Sequence, residues 1–140
     1  MQQTELKQKA KEMMDHNQLG TLATVKDGKP FSRYMTFFHD DLTLYTATNK
    51  QTHKVDDINK NDNVHILLGY EGEGLNDAYL EIEGKAAVYD SSEIKKRLWN
   101  DDLEPWFDGP EDPDYTVLHI DPSEIRIMNE SDQPEILELN

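Results

Sequence analysis

Apolar residues recur at helical spacing near the start of this chain, and in short strand-like runs through most of the remaining sequence. A period of i, i+4, i+7 and i+8 predicts an amphipathic helix over residues 3–17, with Leu6, Ala10, Met13 and Met14 on its buried face. The later apolar runs are bounded by Gly, Pro, Asn and Asp, which is typical of strands. The predicted strands cover residues 19–25, 31–39, 42–46, 64–70, 78–89, 115–121 and 124–128.

Turn residues separate these segments. Asp27-Gly28 is a two-residue hairpin signal, and Pro30 is expected to stop further pairing after it. Gly84, inside a long strand, predicts a bulge or a tight bend. A second helix is expected to open near His53 and a third after the capping residue Ser91.

Two loops interrupt the strand pattern. Residues 71–77 are expected to form an exposed, mobile loop, and residues 101–114 a loop rich in Pro, Gly and Asp. The remaining six or seven strands, mostly in hairpin order with peripheral helices, predict a mainly β fold, a small closed antiparallel barrel. We expect one domain over residues 1–129 and an acidic, loosely held tail over 130–140, in which residues 136–139 offer one further edge strand.

Composition excludes several classes of protein. The chain has 140 residues and no cysteine, so disulfides, thiolate nucleophiles and cysteine-based zinc sites are excluded. No apolar run approaches the roughly 18 residues of a membrane span, and the polar start lacks a signal core, so we expect a cytoplasmic protein. The net charge of -15 makes nucleic acid and anionic membranes poor partners.

The charge is unevenly distributed. Residues 26–60 carry six cations and five acids, whereas residues 101–140 carry 13 acids and a single cation, Arg126. A small anion would therefore bind within residues 26–60. Most of the acidic excess is explained by solubility.

The stretch from Leu44 to Ile58 has the pattern of a strand, a polar turn and a helix start. Lys54 lies in the first turn of that helix, where a cation opposes the helix dipole unless an anion is bound there. Free N–H groups, the hydroxyls of Thr48 and Thr52 and this lysine form a plausible phosphate site. The alternative is a capped surface helix with a solvated lysine.

Arg33, on the second strand of the hairpin, is expected to converge with Lys54 on one phosphate, because the two strands would be neighbours in a barrel. The alternative is a surface arginine paired with Asp41 or Glu81. No other motif carries chemistry: the histidines lack metal spacing, no serine has a nucleophile-elbow context, and the glycine-rich loop lacks a P-loop ending.

Several short motifs occur together in a fixed order. They are Leu22-Ala-Thr-Val25 before Asp27-Gly-Lys-Pro30, Arg33-Tyr-Met35, Leu44-Tyr-Thr-Ala-Thr48 with Lys54, Glu83-Gly-Lys-Ala86, and Trp106-Phe107-Asp-Gly109 before Glu111-Asp-Pro113. In these residues the chain resembles the FMN-binding split-barrel superfamily of pyridoxamine phosphate oxidase, and specifically its general stress protein branch. The resemblance runs from the first helix to about Met128.

The resemblance implies a split β-barrel and a homodimer with two FMN sites at the subunit interface. It implies that Arg33 and Lys54 hold the phosphate, and that Trp106 closes the site from the partner chain. The residues that would line the isoalloxazine and ribityl groups are Tyr34, Met35, Thr46, Ala47 and Thr48.

Some positions depart from the family. The branch usually has proline at Tyr34, the oxidase has a second cation where this chain has His53, and its flavin-contacting glutamine is replaced by Tyr79. The substrate-binding Arg-x-His of the oxidase is absent, since Arg126 is followed by Ile-Met, so the chain is not expected to be a true pyridoxamine phosphate oxidase.

The sequence thus predicts an FMN-dependent oxidoreductase with an unknown substrate. Two alternatives stay open: a flavin-binding protein without turnover, and a cofactor-free dimeric scaffold that acts through its acidic C-terminal surface. No metal is expected.

Overall fold

The helical period at the start of the chain forms helix α1, which buries its four apolar residues against a β-sheet. The computed structural model describes residues 2–72 and 77–139, so residues 73–76 of the predicted loop lie outside the described residues. The helices are α1 Gln3–His16, α2 His53–Lys60 and α3 Ser92–Leu98, followed by a 3-10 turn, Asp101–Leu103. The strands are β1 Leu19–Lys26, β2 Lys29–Thr36, β3 Phe38–Asp40, β4 Thr43–Asn49, β5 Asn63–Gly69, β6 Tyr79–Tyr89, β7 Tyr115–Met128 and β8 Glu135–Leu137.

These strands form one antiparallel sheet in the order β2-β1-β5-β6-β7-β4-β3, with β8 added to β7. Consecutive strands β2 and β3 lie at opposite ends of that order and are not paired with each other among the described residues. The sheet is therefore a split barrel, as the resemblance implied, and the expectation of a closed barrel is wrong.

The split originates at Phe37. The single strand predicted over residues 31–39 is two strands that meet at the buried Phe37, whose backbone N–H donates to Gln18 O at 2.7 Å and so extends the β1–β2 register by one residue. The chain leaves β1 after this residue, and β3 pairs with β4 instead.

The hairpin at Asp27-Gly28 forms as predicted, with φ of 53° and 75° at the two residues, the conformation of a type I′ turn. Pro30 does not stop the pairing, since it is in register with Val25 on β1. In an antiparallel hairpin, hydrogen-bonded and non-hydrogen-bonded pairs alternate, and Lys26 and Lys29 next to the turn form a hydrogen-bonded pair. Val25 and Pro30 therefore form a non-hydrogen-bonded pair, so the nitrogen of Pro30 points to the free edge of β2, where no N–H is needed.

The two strands predicted over residues 115–128 are one strand, β7, which passes through Pro122 without a break. Glu83 pairs with Glu124 and Gly84 with Pro122, so that Ser123 is the extra residue of a bulge. The bulge predicted at Gly84 is confirmed, and a Cβ there would lie 2.8 Å from Asp121 O. This bulge is what lets β7 continue through the proline.

Two apolar clusters are buried. The larger one fills the barrel under α1 and also includes Leu137 of β8, so the predicted edge strand forms in the acidic tail. The smaller one contains Tyr45, Phe107, Tyr115 and Val117. Ile94 and Leu98 of α3, and Trp99 after it, are partly buried against this second cluster, as is Leu103 of the 3-10 turn.

Candidate functional site

A cleft of about 440 Å³ opens beside the split in the sheet, between the end of β2, the end of β4, the start of α2 and residues 102–107. Strand β3 is too short to cover β4 beyond Tyr45, which leaves Ala47 to Asn49 next to the opening. Seven of the predicted site residues line this cleft: Tyr34, Met35, Ala47, Thr48, Thr52, Lys54 and Trp106.

Lys54 is held by hydroxyl groups. Its Nζ donates to Thr48 Oγ1 at 2.6 Å and to Thr52 Oγ1 at 3.2 Å, and Thr52 in turn donates to Asn49 O at 2.9 Å. Thr52 occupies the N-cap position of α2, but its side chain accepts no hydrogen bond from the helix. The first turn of α2 therefore keeps uncapped N–H groups beside a lysine, which is the arrangement that an anion completes.

Arg33 lies on the inner face of β2, opposite Leu22. Its Nη1 donates to Leu22 O at 3.1 Å and to Thr24 Oγ1 at 2.8 Å. The alternative of a surface ion pair is wrong, because Asp41 pairs with two lysines of α1 and Glu81 lies opposite Arg126 in the β6–β7 register.

The two cations influence each other. Burial lowers the pKa of Lys54 from its usual 10.5, and the positive charge of Arg33 lowers it further. Burial likewise lowers the pKa of Arg33, an effect that the negative charge of Asp57 offsets in part. Among residues 2–72 and 77–139, no carboxylate lies within ion-pair distance of Lys54 or Arg33.

The route by which these cations meet differs from the expected one. Strands β2 and β4 are not hydrogen-bonded neighbours; they border the split. Helix α2 instead packs against β1, the partner of β2, and the positive charge of Arg33 acts on Lys54. Because Arg33 does not line the cleft, the convergence of the two cations on one phosphate stays a prediction.

Three predicted residues do not line the cleft, and a fourth, Trp106, lines it from the same chain. Thr46 is buried and its Oγ1 donates to Thr36 O at 2.7 Å, so it joins β4 to the end of β2 without lining the cleft. His53 is exposed and does not line the cleft, and neither does Arg33. Trp106 lines the cleft of its own chain, whereas the resemblance assigned it to the partner's site.

The sequence reasoning missed several lining residues. Leu103 and Phe107 come from the loop that carries Trp106, and Phe38 comes from the strand after the split. Phe107 stays buried and packs against Tyr115 with ring centroids 5.1 Å apart. The adjacent aromatic residues Trp106 and Phe107 were the only signal in the sequence of this loop, and their spacing does not show which of the two rings is buried.

The surface around the cleft is apolar. Leu19 and Tyr34 are exposed and line the cleft, and Leu67 and Tyr70 are exposed next to them in an adjoining groove. A group of large exposed apolar side chains on one face is typical of an interaction surface.

The regions outside the cleft are less suited to binding an anion or a metal. A groove of about 510 Å³ lies between α1 and β8, but it contains Asp41, Asp121 and Glu138 with only Lys7 and does not suit an anion. No group of three or more potential metal ligands occurs in the part of the chain that the structure describes. No helix among those residues is long and apolar enough to cross a membrane.

Comparison with known proteins gives a consistent set of relatives. The model of the family described as pyridoxamine 5'-phosphate oxidase matches residues 6–129. General stress protein 26 of Bacillus subtilis (strain 168) is 54% identical over 140 residues, which cover 99% of this chain and 100% of that protein. The crystal structure of general stress protein 26 from Bacillus anthracis str. Sterne superposes with a TM-score of 0.86 at 40% identity, covering 96% of this chain and 98% of that chain.

A more distant structure shares the fold alone. The heme binding protein from Mycobacterium smegmatis superposes with a TM-score of 0.76 at 15% identity, covering 93% of this chain and 56% of that chain.

Proposed function

The chain belongs to the pyridoxamine 5'-phosphate oxidase-like family, in its general stress protein branch, and we propose that it binds FMN in the cleft beside Lys54 and uses this flavin for oxidation and reduction. The observation that carries the proposal is the pair of desolvated cations, Arg33 and Lys54, which have no carboxylate partner among the described residues. A phosphate dianion would offset their mutual repulsion and the loss of hydration.

The donor set fits a phosphate. Lys54 supplies an ammonium group held in place by two hydroxyls, Arg33 supplies a planar guanidinium group, and the uncapped start of α2 supplies N–H groups. Lys54 is fixed before a ligand arrives, which reduces the entropy lost on binding.

The rest of the cleft fits a flat, largely apolar ring system. Met35, Ala47 and Leu103 contribute apolar surface that excludes water, and Tyr34 and Trp106 contribute aromatic rings. FMN supplies electron transfer when it is bound, and the protein supplies anchoring and shielding.

The oxidase reaction on pyridoxamine phosphate is not part of this proposal. Arg126 pairs with Glu124 at 2.8 Å and does not line the cleft, and the residues after it are Ile127 and Met128. The chain therefore lacks the cationic pair with which the oxidase would hold a second phosphate.

A homodimer is the assembly that we propose. Its support is the exposed apolar face formed by Leu19, Tyr34, Leu67 and Tyr70, which adjoins the cleft. Burial of that face by a second copy would remove large apolar side chains from water and close one side of the site.

The proposal is tested by titrating the purified protein with FMN while recording flavin fluorescence and visible absorbance, with haemin as the competing cofactor. We expect FMN to bind in the micromolar range or tighter, and its reduced form to pass electrons to an acceptor dye at a rate different from that of free FMN. No spectral change at about 100 µM FMN would contradict flavin binding, and haemin that binds more tightly than FMN would contradict FMN as the preferred cofactor. Sedimentation analysis tests the dimer, and a monomer at every concentration would contradict it.

A further inference from the structure

The cleft has two walls of different chemistry. One wall carries Lys54 and its hydroxyl partners, whereas the other, residues 102–107, carries Asp102 and Trp106. Asp102 is the one carboxylate among the described residues that line the cleft. The two charges belong to different elements, since Lys54 opens α2 and Asp102 lies in the 3-10 turn.

Asp102 is not neutralised by the protein. Its backbone N–H donates to Asn100 Oδ1, and within residues 2–72 and 77–139 no cation lies within ion-pair distance of its carboxylate. The three cations of the preceding helix are engaged elsewhere: Lys95 pairs with Asp90, Lys96 pairs with Glu111, and the Arg97 guanidinium lies over the Tyr45 ring, 5.6 Å from its centroid.

An exposed aromatic side chain shares the wall of the cleft with this carboxylate. Trp106 lines the cleft from the same segment as Asp102 and is 76% exposed. A ring face attracts a cation through its quadrupole, and a nearby carboxylate adds direct charge attraction. Together they are the recognition chemistry for an organic cation.

The negative charge around the cleft also favours a cation. Residues 101–114 contain seven acids and no lysine or arginine, and the chain as a whole has a net charge of -15. Such a field raises the local concentration of cations at the mouth of a cleft and lowers that of anions.

We propose that the substrate of this cleft is a planar organic cation, held by Asp102 and the ring of Trp106, and that polyanionic reductants such as nicotinamide dinucleotides are disfavoured. This assignment rests on the proposed function, in which the phosphate end of the cleft is occupied by the cofactor. Asp102 is then a specificity-determining residue on the side of the cleft that Lys54 does not neutralise.

Two planar redox dyes of opposite charge provide the probes. Methylene blue is a cation and 2,6-dichlorophenolindophenol is an anion, and binding of each to the oxidised, FMN-loaded protein is measured by equilibrium dialysis. The variants are Asp102→Asn and Trp106→Leu, with Asp132→Asn as the matched control, because Asp132 is an exposed acid outside the cleft.

We expect the cationic dye to bind more tightly than the anionic one, and added salt to weaken it. Asp102→Asn and Trp106→Leu should each weaken the cationic dye about 2- to 5-fold, whereas Asp132→Asn should leave it unchanged. Equal binding of the two dyes would overturn the proposal. So would equal weakening by Asp102→Asn and Asp132→Asn, since net charge alone would then explain the preference.

The same dialysis on protein without FMN separates this proposal from the proposed function. If the protein fails to bind FMN but prefers methylene blue in a way that depends on Asp102, the cation site is supported and the proposed flavin binding is contradicted. A chain that binds FMN without that preference keeps the flavin and loses the cation site.

Discussion

Two pairs of cations near the end of β4 are held in different ways. Lys50 and Lys95 share the carboxylate of Asp90, with Nζ to oxygen distances of 2.5 and 3.4 Å. Burial acts to raise the pKa of Asp90, but the hydrogen bond from Lys50 and the charges of both lysines hold it below its usual value. This pair is complete within the chain, and it ties α3 to the residue after β4.

Arg33 and Lys54 have no such carboxylate between them among the described residues, and the pKa of each is lowered by burial. Only four positions separate Lys50 from Lys54, so the two lysines share a neighbourhood in sequence. We propose that the first pair stabilises the fold and that the second pair is left for the ligand. Substitutions in one pair can be compared with matched substitutions in the other pair.

The largest expected effect is on FMN affinity. Lys54→Ala and Arg33→Ala should each remove a charge-assisted phosphate contact of about 1.5–3 kcal/mol, which is roughly a 10- to 150-fold rise in Kd. Lys50→Ala is the matched control, because it removes a lysine that is already paired with Asp90. Fluorescence titration checks all three variants, and an unchanged Kd in both Lys54→Ala and Arg33→Ala would place the phosphate elsewhere.

A smaller effect is expected on stability when the complete pair is broken. Asp90→Asn leaves Lys50 and Lys95 without a counter-charge, and the Lys95 side chain is only 9% exposed. Because Asp90 itself is 43% exposed, the expected loss is about 1–2 kcal/mol of unfolding free energy, less than for a fully buried pair. Urea unfolding of the unliganded protein measures it. A loss below about 0.3 kcal/mol would show that water already screens this network.

The smallest expected effect is a pH dependence with a defined sign. In the unliganded protein the pKa of Lys54 lies below 10.5, so the unfolded chain keeps this proton to higher pH than the folded one. The stability of the wild type relative to Lys54→Met should therefore rise as pH increases through the lowered pKa toward 10.5. FMN affinity should fall over the same range, because the lysine loses its charge. Urea unfolding and FMN titration over the same pH series measure the two trends. If stability and FMN affinity both rose or both fell with pH, the assignment to Lys54 would be contradicted.

The sequence predicted the local structure at the start of α2 better than it predicted the surrounding strands. Local spacing indicated the turn with Thr48 and Thr52 and the helix start near His53, because caps and helix starts depend on neighbouring residues. Two features of the strands involve residues that are distant in sequence. The chain leaves β1 after Phe37, whose N–H donates to Gln18 O, and β7 continues through Pro122, which pairs with Gly84. Such pairings are not determined by local pattern.

Charge partners were also beyond the reach of the sequence. Nothing in the spacing of Lys50, Asp90 and Lys95 shows that they meet, or that Arg33 meets no carboxylate among the described residues. The position of Trp106 in the cleft of its own chain follows from the packing of Phe107 against Tyr115, which is a tertiary contact.

We propose that Lys54 and Arg33 bind the phosphate of FMN. Comparing FMN with riboflavin tests this proposal, because the two ligands differ only in the phosphate group. The measurement is the ratio of their dissociation constants in the wild type, Lys54→Ala and Lys50→Ala. We predict that the wild type and Lys50→Ala prefer FMN by at least about 10-fold, and that Lys54→Ala loses most of this preference while its affinity for riboflavin stays the same. A preference for FMN that survives in Lys54→Ala, or equal binding of the two flavins by the wild type, would contradict the claim.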